Sequence, residues 1–138
     1  MKLNKSFYAV FNIFILTVIA LLAFTLLNEE YLFQWTAHNW EFYLILCAIV
    51  LLLLLLNKQL VSLLMTIGIT SGIFIGSYLG GSVKRFNEEK IIESMRPEEV
   101  YRLRHHPGFE IWIGIIILSI LIGIVLQNVI EKKIQINQ

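Results

Sequence analysis

The sequence predicts an all-α integral membrane protein: a four-helix bundle with a short amphipathic, interfacial helical segment between its third and fourth transmembrane helices. Three observations predict it. Hydrophobic residues make up 57% of the 138-residue chain, only 15% of residues are charged, and the apolar residues stand in long unbroken runs instead of at amphipathic spacing. Residues 7–27, 42–56, 60–83 and 111–130 contain no charged side chain. Crossing about 30 Å of hydrocarbon at 1.5 Å per residue takes roughly 20 residues. Helices are therefore expected over about 7–27, 41–57, 60–83 and 109–130 of a single transmembrane domain, with an interfacial loop over 84–108.

The first run follows Lys2 and Lys5 but is too long for a signal-peptide core, and no small-x-small cleavage site follows it, so it reads as a retained helix. The connection from Asn28 to Glu41 carries Glu29, Glu30, Glu41, Trp35 and Trp40 and no lysine or arginine. The second run has 15 residues, extended at its ends by Trp40, an interfacial anchor, and by Lys58, whose stem can lie along apolar surface. Asn57-Lys58-Gln59 then forces a tight antiparallel hairpin into the third run. Cys47, the one cysteine, lies in the second run, which rules out an intramolecular disulfide and points to packing.

The third connection is the only sizeable polar piece. Lys84, Arg85, Lys90, Arg96, Arg102 and Arg104 stand there against five glutamates. Pro97 followed by Glu98 and Glu99 predicts a helix start, because proline suits the first helical position and acids suit the positive end of the helix dipole. Glu98 and Arg102 are then expected to pair at i,i+4, with Arg104, His105 and His106 in the last turn before Pro107-Gly108. Upstream, Phe86, Ile91, Ile92 and Met95 would give another short helix an apolar side, and both pieces are expected to lie along the membrane surface or against the bundle. Four crossings put the first and third connections on one side with six basic residues, against Lys2, Lys5, Lys58, Lys132 and Lys133 on the other. Counts this even do not orient the chain by the positive-inside rule.

Within the third run, Gly68, Gly72, Gly76 and Gly80 repeat at four-residue spacing, a chain of overlapping GxxxG motifs that lays a side-chain-free stripe along one helix face. Lipid tails are as apolar as leucine, so helices in a membrane associate where small residues let backbones come close. The stripe is expected to pack against the first or fourth helix, or against another subunit. Ser62, Thr66, Thr70 and Ser77 fall in an arc beside it. They could line a polar pathway, although serine and threonine also bond back to their own helix carbonyls. Asn12 and Thr17 in the first run, with Ser119, Gln127 and Asn128 in the fourth, suit hydrogen bonds between helices.

No ionisable residue interrupts the four runs, which argues against proton relays and ion-coupled transport. The chain has no aspartate, no glycine-rich phosphate loop and no paired intramembrane carboxylates, so catalysis is not expected, nor is a cofactor. His105, His106 and Glu110 are the one cluster with potential chemistry, but neighbouring histidines point about 100° apart on a helix, and no metal site is expected there. With a net charge of +1 and scattered basic residues, nucleic acid is not an expected partner. The expectation is a non-enzymatic multi-pass protein of a membrane, the bacterial plasma membrane, whose partners are the lipid bilayer and either a membrane protein or a second copy of itself. It would act as an accessory, assembly or protective subunit, with Arg102, Arg104, His105, His106 and Glu110 as its docking or interfacial residues. The alternative is a homo-oligomeric uncoupled channel or small-solute facilitator lined by the hydroxyl arc.

Overall fold

A computed structural model describes residues 4–137, and Lys2 lies outside them. Those residues form six helices and no strand: α1 (Lys5–Phe24), α2 (Tyr31–His38), α3 (Trp40–Leu55), α4 (Gln59–Glu88), α5 (Pro97–Leu103) and α6 (Gly108–Ile136). Three of them, α1, α4 and α6, are long and apolar enough to cross a membrane. With its 16 residues, α3 rises about 24 Å and is joined to α2 through an 89° bend at Asn39.

Two elements differ from expectation. The Asn28 to Glu41 connection contains α2, a helix of eight residues with Leu32, Phe33 and Thr36 buried. These fall at i, i+1 and i+4, one side of a helix, and their burial offsets the weak propensity of so short a segment. The reverse correction applies to Phe86, Ile91, Ile92 and Met95. Phe86 belongs to α4, while residues 89–96 form turns and extended chain, not a helix. The long helices overrun the apolar runs, α4 to Glu88 and α6 to Ile136, because lysine, arginine, glutamate and glutamine are good helix formers with nothing to stop them.

The α3–α4 hairpin is closed by a C-terminal motif rather than by a flexible link. Asn57 takes φ 59°, the left-handed region that asparagine tolerates better than most side chains. The Lys58 N–H then donates to the Leu53 carbonyl at 2.9 Å and the Asn57 N–H to that of Leu54 at 3.1 Å, which satisfies carbonyls the ending helix would leave bare.

Helix α4 is the hub, lying against α1, α3 and, most extensively, α6, while α1 also packs on α3. Their ends coincide. Lys5 donates to the Leu55 carbonyl and to Asn57 Oδ1, each at 3.3 Å, and Lys58 pairs with Glu131 at 3.3 Å. This end gathers Lys5, Lys58, Lys132 and Lys133, whereas the opposite end holds α2, α5 and nine of the ten glutamates. The core gathers around α4, whose Met65, Ile69 and Ile73 cluster with Leu16 and Ile19 of α1, Val50 of α3 and Trp112 of α6.

Candidate functional site

The glycine stripe faces α6 and the residues just before it, and the contact is antiparallel. A Cβ added at Gly68 would lie 2.5 Å from Ser119 Oγ, at Gly72 2.8 Å from Trp112 Cδ1, and at Gly76 2.6 Å from the Gly108 carbonyl oxygen. At Gly80 it would collide with the His106 ring. Successive glycines along α4 thus meet Ser119, Trp112 and Gly108 in turn, back along α6, and then His106 just before it. From the α6 side, Gly123 repeats the arrangement, since a Cβ there would come within 2.9 Å of Val61 Cα. Trp112, fully buried, donates its indole N–H to the Ile69 carbonyl at 3.0 Å, and the Leu60 N–H donates to Gln127 Oε1 at 3.1 Å. The absent side chains leave room for these contacts between a backbone and the neighbouring helix.

The four residues of the hydroxyl arc do not share one surface. Ser62 is buried among three helices: it accepts from Asn12 Nδ2 at 2.9 Å and donates to the Val50 carbonyl at 2.8 Å, which ties α1, α4 and α3 together. Thr66, also buried, donates back to the Ser62 carbonyl at 3.1 Å. Ser77 accepts the backbone N–H of Leu32 at 3.3 Å and so holds the first turn of α2, where helix amides have no internal partner. Thr70 borders a shallow groove with Phe11 and Ile15, and its hydroxyl has no partner. Two of the four hydroxyls, Ser62 and Ser77, are therefore engaged in holding helices together, and Thr66 is satisfied by its own helix.

Of the remaining polar residues in the apolar runs, Thr17 bonds back to the Ile13 carbonyl and Ser119 packs on Gly68. Tyr43 adds a tie that sequence reasoning missed, its hydroxyl donating to the Leu16 carbonyl at 2.6 Å. A tyrosine inside an apolar run needs a polar partner for its hydroxyl, and that requirement was the available signal.

At the glutamate-rich end, α5 begins at Pro97 with Glu98 and Glu99 in its first turn and ends at Leu103. Arg104, His105 and His106 lie beyond it, not in its last turn. Glu98 and Arg102 form no ion pair; the pair is Arg96 with Glu99, at 3.1 Å, where Glu99 Oε2 also accepts the Arg96 backbone N–H. Preceding the helix as its cap, Arg96 reaches a carboxylate of the first turn, while Glu98 points elsewhere. No residue of α5 is buried, and Tyr101 is 81% exposed.

The residues expected to dock divide accordingly. Arg102, Arg104, His105 and Glu110 are exposed, with His105 Nε2 2.7 Å from Glu110 Oε1. His106 turns inward, stacked on Tyr31 with ring centroids 3.7 Å apart. Beside it, Trp35 of α2 contacts Phe42, Phe109 and Trp112, an aromatic cluster that joins α2, α3 and α6. Among the described residues no group of three His, Cys, Asp or Glu side chains is placed to hold a metal ion. Comparison with protein-family models, curated proteins and solved structures finds no match for the chain.

Proposed function

We propose that this chain is a four-helix integral membrane protein that performs no reaction itself and acts as a packed scaffold presenting its α4–α6 connection to a membrane protein partner. In this reading α3 completes the bundle as a fourth, short crossing, and α2 lies across one end. Lys58 and Trp40 supply the polar and interfacial anchors that a helix of this length needs.

One observation carries the reading: the features able to hold helices together are used internally, whereas α5 is left outside the core. The glycine stripe is covered by α6, Leu32 and His106, Ser62 and Ser77 are bonded to neighbouring elements, and Thr66 is bonded back to its own helix. By contrast the connection exposes Tyr101 and Arg102 of α5 and, just beyond it, Arg104, and tyrosine and arginine are residue types enriched among the anchors of protein interfaces. Engagement of those hydroxyls favours this scaffold over the channel alternative, which requires a wet face.

The test is a photo-crosslinking amino acid placed at Tyr101 and, as control, at Leu118 on the outer face of α6. A discrete adduct from Tyr101 that disappears with Arg102→Glu/Arg104→Glu, at unchanged thermal stability, supports docking through the connection. Adducts only from Leu118, or none from either position in native membranes, would remove it.

A further inference from the structure

His106 sits where the α5–α6 connection meets α2 and α4, half-buried between them. Its ring lies 3.7 Å from the Tyr31 ring at an interplanar angle of 18°. Gly80 and Gly108 flank it so closely that a Cβ at either would collide with the imidazole. Its Nδ1 accepts the backbone N–H of Gly108, the first residue of α6, at 3.1 Å. One side chain thereby joins the start of α2, the far part of α4 and the first turn of α6.

We propose that His106 is a pH-sensitive latch: its neutral imidazole clips the α5–α6 connection onto α2 and α4, and protonation releases it. The hydrogen bond sets the chemistry. A ring nitrogen that accepts must carry a lone pair, so the latched ring is neutral with its proton on Nε2, whereas in the imidazolium both nitrogens are donors and Nδ1–H would confront the Gly108 N–H. The missing side chains of Gly80 and Gly108 provide the space in which the ring makes this bond, since a Cβ at either would collide with it.

The charged groups around the ring do not cancel this. Lys84 of α4 opposes a second positive charge, as does His105 when protonated, while Glu110 of α6 favours one and Tyr31 offers its ring face to a cation. Glu110 is already engaged with His105. Burial, and after it Lys84, hold the His106 pKa below its ordinary value of 6.5. The latched state thus binds fewer protons than the released one. Its contribution is fully present above about pH 6.5 and is lost as pH falls from there through the lowered value. The latch belongs to the fold itself and does not depend on which partner α5 meets.

The experiment is a histidine-detected NMR titration of the full chain in nanodiscs, following the His106 ring and the Gly108 amide together. The expected result is a His106 midpoint below about 6.5, with the Gly108 amide shifting at the same midpoint and its hydrogen exchange, corrected for intrinsic pH dependence, rising severalfold on protonation. His106→Asn, whose side-chain oxygen can accept the Gly108 N–H but cannot titrate, should remove that exchange step. A His106 midpoint at or above the ordinary value, or a Gly108 amide indifferent to it, would overturn the latch. Because the wild-type titration alone decides the matter, the inference stands or falls even if the variant does not fold.

Discussion

Trp112 donates its indole N–H to the carbonyl oxygen of Ile69 at 3.0 Å, fastening α6 to α4 beside the point where Gly72 leaves room for the ring. The side chain is fully buried, so the bond and the packing report on the same seam. Trp112→Phe, which keeps an aromatic ring but removes the donor, should cost about 1–2 kcal/mol, and Trp112→Ala about 3–5 kcal/mol. Reversible unfolding in mixed micelles measures both, and equal losses would show that the hydrogen bond is the whole contribution.

Substitution of glycine by alanine should give a ranking rather than a uniform effect. At Gly76 the new methyl group would meet the Gly108 carbonyl, a backbone atom that can move only with α6. A loss of about 1–3 kcal/mol is expected there. Gly114 has open space around its missing Cβ, and Gly81 has only His106 Nε2, at 3.8 Å. Both should accept alanine at no cost or with a gain of up to about 1 kcal/mol. Thermal unfolding of the three variants checks the order, and a Gly76→Ala protein as stable as Gly114→Ala would mean that the seam is looser than described.

Asn12 and Ser62 should be energetically coupled. Their bond at 2.9 Å is buried, and Ser62 passes the connection on to the Val50 carbonyl. In a double-mutant cycle of Asn12→Ala and Ser62→Ala, the coupling is expected at about 0.5–1.5 kcal/mol, the range found for hydrogen bonds between helices in membranes. Additive losses would place the two side chains out of contact.

Cysteine accessibility tests the crossing number and the closed hydroxyl arc in one series. In a Cys47→Ala background, cysteines at Asn57 and Asn28 should react with a membrane-impermeant reagent from opposite sides, while a cysteine at buried Thr66 should stay protected. Labelling of Asn57 and Asn28 from the same side would show that α3 turns back instead of crossing. A reactive Thr66 would open the channel reading again.

How much of this was legible in the sequence varies by element. The three long helices follow from the absence of charge over runs of roughly 20 residues, a signal that packing does not override. Their ends were not legible, because a helix former such as Lys84 or Lys132 continues a helix whether or not lipid surrounds it. The helix α2 was hidden because its polar and aromatic residues match an interfacial loop. What makes it a helix is burial of Leu32 against Gly76 and of Phe33 against Phe74, more than forty residues further on. The stripe could be read as a packing surface, but its partner could not be chosen between α1, α6 and another subunit. The complementary spacing in α6, Gly108, Trp112, Ser119 and Gly123, is too mixed in residue type to announce itself. The inward turn of His106 was invisible for a similar reason: Tyr31, which stacks on it, is separated from it in the chain by α3 and α4.

The separation of the two sides of the α4–α6 seam along the chain has a consequence in time. A ribosome completes the stripe at Gly80, yet Ser119, the residue that covers Gly68, emerges roughly 40 residues later, which at roughly 5–20 residues per second is an interval of about 2–8 s. During that interval the stripe is a vacant site in a nascent chain, open to whatever small-residue helix diffuses past. The arrival of α6 therefore decides a competition as well as completing a fold, and slowing translation between Gly80 and Ser119 would prolong the window in which a wrong helix can win.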